Sequence, residues 1–325
     1  MAKKCVGMKL KFGGIYMEEV VVKVNNLKKQ YKDVKAVNDV SFHVKKKEIV
    51  AILGPNGAGK TTTLEILEGL RKRDDGEIYY FGEKVDQIDS NIKEKIGVQL
   101  QSTVFFQNLT VVETLKAFAG LYQKSLDVEK VITDFNLEEK KRSRISKLSG
   151  GQLQRLALAT AVINDPDIVF LDEPTTGLDP QARRNTWQII SNLRNSGKTI
   201  ILTTHYMEEA EFLADRVYIF DQGQIIAQGT VNKLVDSLGM SSIISFKINS
   251  NGNFDDIKEN LFSESNLKVS KNENFYRIEA IDLENALLKI FEEARMKKFD
   301  ISDMIIRKPN LEDVFLKLTG KRLRD

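Results

Sequence analysis

The chain has one cysteine, Cys5, in 325 residues. A single thiol closes no internal disulfide, which excludes a disulfide-stapled scaffold and suits a reducing compartment. Long apolar runs are missing too. Pieces such as "IVAIL" and "DIVFL" stop far short of the roughly 20 residues that cross a bilayer, so no membrane span is expected. The first residues, "MAKKCVGMKLKFGGIYMEEV", carry lysines without an apolar block behind them and do not read as a secretory signal. Charge of one sign is also lacking: 49 Lys plus Arg against 46 Asp plus Glu gives no reason to expect a nucleic-acid partner. There is no internal repeat and no low-complexity tract. What is present is ordinary, 42% hydrophobic and 29% charged residues, as in globular proteins generally. The length suits one large domain and a smaller one.

From Val20 to Leu53, runs with alternating apolar residues ("VVVKV", "VSFHV", "EIVAIL") between lysine-rich turns predict a β-rich layer. "IVAIL" is unbroken and ends in glycine, the pattern of a parallel strand buried on both faces, with a helix "KTTTLEILEGL" behind it. "DIVFLDE" and "KTIILTTH" are buried strands of the same kind that end abruptly in polar residues, where open α/β sheets gather ligands. The helical spacing of "VVETLKAFAGLY" and "QLQRLALATAVI" predicts a helical subdomain inserted into this α/β core. Beyond about Leu238 the order becomes "SIISFKI" strand, "FDDIKENLF" helix, "LKVSK" and "FYRIEA" strands, "LENALLKIFEEA" helix, "DISDMIIRK" strand and a last helix. That β-α-β-β-α-β order is the split βαβ pattern, and it carries no chemical motif of its own.

"GPNGAGKT" fits G-x-x-x-x-G-K-[ST] between a buried strand and a helix. The run Gly54, Pro55, Asn56, Gly57, Ala58, Gly59, Lys60, Thr61 and Thr62 brings backbone amides and a helix N-terminus to phosphate, with Lys60 for the β and γ phosphates and the Thr61 hydroxyl for Mg²⁺. The ligand is a nucleoside triphosphate. Asp172, at the end of "DIVFLD", is placed to hold the magnesium shell. Glu173 follows it directly, either as a helix-capping acid before Pro174 or as a general base for water. Of the two histidines, His43 is out of phase with Val40, Phe42 and Val44 and faces away from the core, whereas His205 ends a buried strand in the same crevice as the carboxylates, unless it is only a strand-end cap.

With "GPNGAGKT", "LSGGQ" and "FLDEPTTGLD" in that order, the sequence strongly resembles the nucleotide-binding subunits of ABC transporters, from about Val20 to Leu238. The resemblance implies an α/β P-loop ATPase core over residues 17–238, with an N-terminal antiparallel β layer and a helical subdomain at about 102–163. A basic arm (1–16) precedes it, and a small α+β accessory domain of split βαβ, ferredoxin-like form (239–325) follows. It further implies that two copies meet head to tail, so that Leu148, Ser149, Gly150, Gly151 and Gln152 of one close over the γ-phosphate held by Lys60 of the other, with Asp179 in the loop crossing the seam. His205 is then the residue that senses or positions that phosphate, and Tyr31 the aromatic that stacks on adenine, although a strand-edge tyrosine fits it as well. A glutamine touching magnesium and the attacking water is implied at the junction with the helical subdomain; "GVQLQS" offers Gln99 and Gln101, of which motif alignment favours Gln101. The segment after it would meet a membrane partner, with Phe105 and Phe106 either on that surface or in local core. The resemblance is to exporter subunits with separately encoded membrane proteins, and it places the chain on the cytoplasmic face of the membrane with ATP and Mg²⁺ as its cofactors. The rival readings are an ATPase acting on ribosomes or chromosomes, and a nucleotide sensor that does not hydrolyse.

Overall fold

The computed structural model describes residues 19–101, 104–248, 268–272, 275–297 and 299–321. The expected basic arm at 1–16 and the expected helix "FDDIKENLF" lie outside the described residues.

Strands β1 (Val20–Tyr31) and β2 (Val34–Lys45) pair antiparallel and turn Val22, Val24, Val40, Phe42 and Val44 inward. His43 points the other way but is half-buried: its Nε2 lies 3.2 Å from Arg216 Nη1, and burial, then the Arg216 charge, push the imidazole pKa down. The unbroken apolar strand β3 (Ile49–Leu53) leaves this layer for a second sheet, and helix α1 (Lys60–Leu67) follows it. Strands β4 (Asp75–Tyr80) and β5 (Glu83–Val85) then return to give an antiparallel sheet in the order β2-β1-β4-β5. Little in their own sequence marks them. Their pattern is completed by pairing, which sets Ile78 against Val24 and Tyr80 against Val22.

A short helix α2 (Ser90–Lys93) leads into β6 (Ile96–Gln99), after which come the inserted helices α3 (Val111–Ala119), α4 (Val128–Asp134) and α5 (Gly150–Val162). The far end of α5 does not stay with the insert. It lies on β6 so closely that a Cβ at Gly97 would fall 1.7 Å from the Ala161 carbonyl oxygen, an approach only glycine allows. Then β7 (Ile168–Asp172), α6 (Pro180–Asn195), β8 (Thr199–Thr204), α7 (Met207–Leu213), β9 (Arg216–Asp221) and β10 (Gln224–Gly229) complete a sheet of order β10-β9-β3-β8-β7-β6. Five of these strands run parallel, with Leu53 opposite Thr204, Thr203 opposite Asp172 and Leu171 opposite Gln99. That register lines up their C-terminal ends along one edge, where the loops that follow these strands converge.

Between the two sheets lies a single apolar cluster that joins Val24, Phe42 and Tyr80 to Ile52, Phe170 and Phe220. Burying each such side chain is worth about 1.5–3 kcal/mol relative to exposure, so the site edge rests on a stiff base.

The chain divides into two compact units between Gln228 and Gly229. The expected boundary at 238 is too late, because α8 (Val231–Asp236) packs on the last helix of the second unit, and Lys317 Nζ there donates to Leu238 O at 2.9 Å. The second unit contains β11 (Ser242–Ile248), β12 (Lys268–Asn272), β13 (Phe275–Ala280), α9 (Leu283–Lys297), β14 (Ile301–Arg307) and α10 (Leu311–Thr319). Its sheet is antiparallel in the order β12-β13-β11-β14, with β11 and β13 central as the split βαβ reading requires. Asp313 caps α10 together with Asn310 and is held by Arg277 and Arg307 at 2.7–2.8 Å. Although burial favours its neutral form, the two guanidinium groups and the Asn310 amide keep its pKa low.

Candidate functional site

The turn from β3 into α1 fixes the first part of the site. Gly59 is the N-cap of α1 with φ +95°, and a Cβ there would fall 2.2 Å from Ala36 O, so glycine is required on both counts. No side chain caps this helix and no acidic residue sits in its first turn. Its exposed N–H groups and positive dipole end are therefore left for an anion. Lys60 is buried, and its ammonium donates to the carbonyls of Gly54 at 2.9 Å and Pro55 at 3.0 Å. Desolvation lowers its pKa against the opposing pull of Glu173 and Asp172.

Strands β7 and β8 bring the acids. Thr61 Oγ1 lies 3.2 Å from Asp172 Oδ1, and the Thr203 hydroxyl also donates to that oxygen. Thr203 Oγ1 in turn accepts from the Glu173 amide at 3.0 Å. Glu173 itself has φ +48°, a left-handed backbone that costs a non-glycine residue about 1–3 kcal/mol. Its carboxylate is the hub of the site: Lys60 Nζ at 3.7 Å, His205 Nδ1 at 3.2 Å, Thr176 Oγ1 at 3.0 Å and Gln101 Nε2 at 3.4 Å. Burial alone would raise the pKa of Glu173, but hydrogen bonding and charge from His205, with Lys60 and Thr176, bring it below the ordinary value. Asp172 goes the other way, raised mainly by burial.

The expected residues are thus brought together in one place: Lys60, Thr61, Asp172, Glu173, Gln101 and His205. Gln99 is not among them, since it is buried and its amide nitrogen donates to Leu100 O at 2.6 Å. The pair Phe105 and Phe106 splits. Phe105 is buried edge-on against Phe118, while Phe106 is 81% exposed. Tyr31 stands at the end of β1 with the Lys29 ammonium 5.4 Å and the Arg71 guanidinium 5.3 Å from its ring centre. Leu148–Gln152 form a different helix start: Ser149 and Gln152 cap each other, and no hydrogen bond or ion pair links them to the Lys60 cluster among the described residues. Asp179 caps α6, accepting from Gln181 N and Ala182 N at 3.0 and 2.9 Å.

Sequence reasoning missed Thr203, although two threonines at the end of an otherwise apolar buried strand are a visible signal. It also missed Glu68, just behind α1, for which a lone acid in an apolar helix was the only sign. Glu68 is buried and its Oε1 has no partner among the described residues. Burial, with the charges of Asp172 and Glu65, pushes its carboxyl pKa up to about 8. Because the folded chain keeps this proton longer than the unfolded chain, the contribution of Glu68 to stability is most favourable in acid and falls as pH rises from about 4.5 to about 8, by up to ~5 kcal/mol. Glu68→Gln is expected to match the wild type near pH 5 and to exceed it at pH 9, as read by denaturant melts; parallel pH profiles for the two proteins would exclude this.

The comparisons with known proteins decide what the cluster belongs to. A family profile described as "ABC transporter" matches residues 37–176. The linearmycin resistance ATP-binding protein LnrL of Bacillus subtilis is 34% identical over 311 residues, covering 94% of this chain and 100% of the relative. The Nod factor export ATP-binding protein I of Burkholderia orbicola is 38% identical, covering 95% and 100%. This chain belongs to the ABC transporter ATP-binding proteins. Solved structures agree. A dimeric ATP-binding cassette in a post-hydrolysis state with ADP and Pi is 29% identical with a TM-score of 0.58, covering 64% of this chain and 98% of that one. An ATP-binding subunit of an ABC transporter is 26% identical with a TM-score of 0.60, covering 74% and 98%. The ABC subunit described here therefore binds ATP and is an ATPase, with the fold class its motifs imply.

Proposed function

We propose that this ABC ATPase powers export through a separate membrane subunit, as a pair of copies on the cytoplasmic face of the membrane. The reading is supported by relatives named for Nod factor export and linearmycin resistance, each matched over its whole length. No helix among the described residues is long and apolar enough to cross a membrane, and in this reading the path for cargo is supplied by the separate subunit. The cargo class is a drug, lipid, polysaccharide or ion.

The observation that carries the mechanism is the convergence of Lys60, His205, Thr176 and Gln101 on one Glu173 carboxylate. Lys60 and the amides from Gly54 to Thr62 hold the β and γ phosphates, and Tyr31 stacks on adenine. Thr61 and Asp172 offer a hydroxyl and a carboxylate on neighbouring atoms, a small oxygen set that fits Mg²⁺, whose remaining ligands are usually phosphate and water. When bound, Mg²⁺ supplies positive charge that offsets negative charge on the phosphates. Glu173, ionised at neutral pH, accepts a proton from the attacking water, which Gln101 and His205 help to orient. Leu148–Gln152 of the second copy close the site from the far side, with Asp179 along the seam. Hydrolysis breaks the bond between the β and γ phosphates, and once inorganic phosphate leaves, the charge that the two helix ends share is gone and the copies separate.

The test is phosphate release from ATP by the full chain, with cell fractionation alongside. The expected results are turnover that stops on chelation with EDTA, and native protein that sediments with membranes. Sedimentation with ribosomes or nucleic acid would overturn the transport reading, and absence of phosphate release with the membrane fraction present would overturn hydrolysis.

A further inference from the structure

We propose that Tyr206, clamped by Arg183, is a positioning residue for His205 that holds the imidazole in register with Glu173. The inference rests on the reading of His205 and Glu173 given above.

Three observations carry it. The Tyr206 ring lies against the His205 ring, centroids 4.2 Å apart and planes tilted by 42°. On Tyr206 sits the Arg183 guanidinium, with Cζ 4.2 Å from the ring centroid. The Tyr206 backbone is also pinned, since its amide donates to Thr204 Oγ1 at 2.9 Å. The order in space is thus Arg183, Tyr206, His205, Glu173.

The chemistry gives that order a purpose. A histidine at a strand end turns freely about its side-chain bonds unless something packs on the ring, and a small rotation would carry Nδ1 out of its 3.2 Å contact with Glu173. An aromatic neighbour packed on the ring resists that turn, and a cation over the neighbour's ring holds it in place in turn. The Arg183 charge also acts on the buried Glu209 carboxylate, which accepts from Thr175 Oγ1 at 2.7 Å and Trp187 Nε1 at 2.9 Å. Arg183 Nε makes no hydrogen bond among the described residues, which fits a guanidinium placed for its face. Helices α6 and α7 thereby set the orientation of a ring at the end of β8.

The chain contains only two histidines, so the two imidazole signals in a nuclear magnetic resonance spectrum are readily assigned by a His43→Gln variant. In the full chain, the His205 ring protons are expected to show a ring-current shift that Tyr206→Leu removes and Tyr206→Phe keeps. ATP turnover by Tyr206→Leu is expected to fall about tenfold in kcat with KM for ATP changed less than about twofold, the mark of an interaction used in the chemical step. Tyr206→Phe should recover turnover to within about threefold of the wild type, and Arg183→Met should fall between the two. An unchanged His205 signal in Tyr206→Leu, or a loss confined to KM, would overturn the proposal. Should His205→Ala turn over like the wild type, it is the underlying reading of His205 that fails, and the spectrum still reports whether the Tyr206 ring lies against His205.

Discussion

Glu173→Gln is expected to lower ATP turnover about 100- to 10,000-fold, the usual contribution of a general base, while leaving ATP binding intact. Glutamine keeps the size of the side chain and can still accept from Thr176 and Gln101, which now stand 3.0 and 3.4 Å away. It cannot take a proton from water. Lys60 loses one of its partners, at 3.7 Å, so its charge is more fully available to the γ-phosphate, and the ATP-bound pair should accumulate. Light scattering with ATP reads the pair and phosphate release reads turnover. A variant with wild-type turnover would show that water is activated elsewhere.

The second large effect is expected at Gly150, with opposite signs for folding and function. Nothing lies within 4 Å of a Cβ placed there, and the residue opens α5 at the protein surface. Gly150→Asp puts a negative charge at a helix N-terminus, which stabilises such helices by about 0.3–1 kcal/mol. If this helix end faces the γ-phosphate of a second copy, the same charge meets like charge, which costs several kcal/mol. At about 1.4 kcal/mol per factor of ten, ATP-driven pairing and turnover should both drop more than about 100-fold. The pair of measurements is a thermal melt, expected unchanged or higher, and phosphate release, expected near background. Wild-type turnover in this variant would remove Gly150 from any phosphate lid.

The motif-bearing parts of the site were legible because unbroken apolar strands end where the polar residues begin. β3, β7 and β8 are buried along their whole length, so "GPNGAGKT", Asp172, Glu173 and His205 could only emerge at one edge. The choice between Gln99 and Gln101 was not legible from residue types. Their places differ by where β6 stops: Gln99 is its last residue, still within the sheet, whereas Gln101 lies past the end and its amide comes to 3.4 Å from Glu173. Glu68 and the β4–β5 pair escaped for a related reason. Their environment is made by segments distant in sequence, α1 packing in one case and pairing with β1 in the other. The unit boundary moved for the same cause, since α8 takes its partner from the far end of the chain.

Glu173 sits in a backbone conformation that glycine or asparagine would adopt with less strain. With Glu173 as the proposed base, a substitution to either would relieve backbone strain while removing the proton acceptor, the usual trade between robustness and activity. Drift without demand for work would discard this acid early.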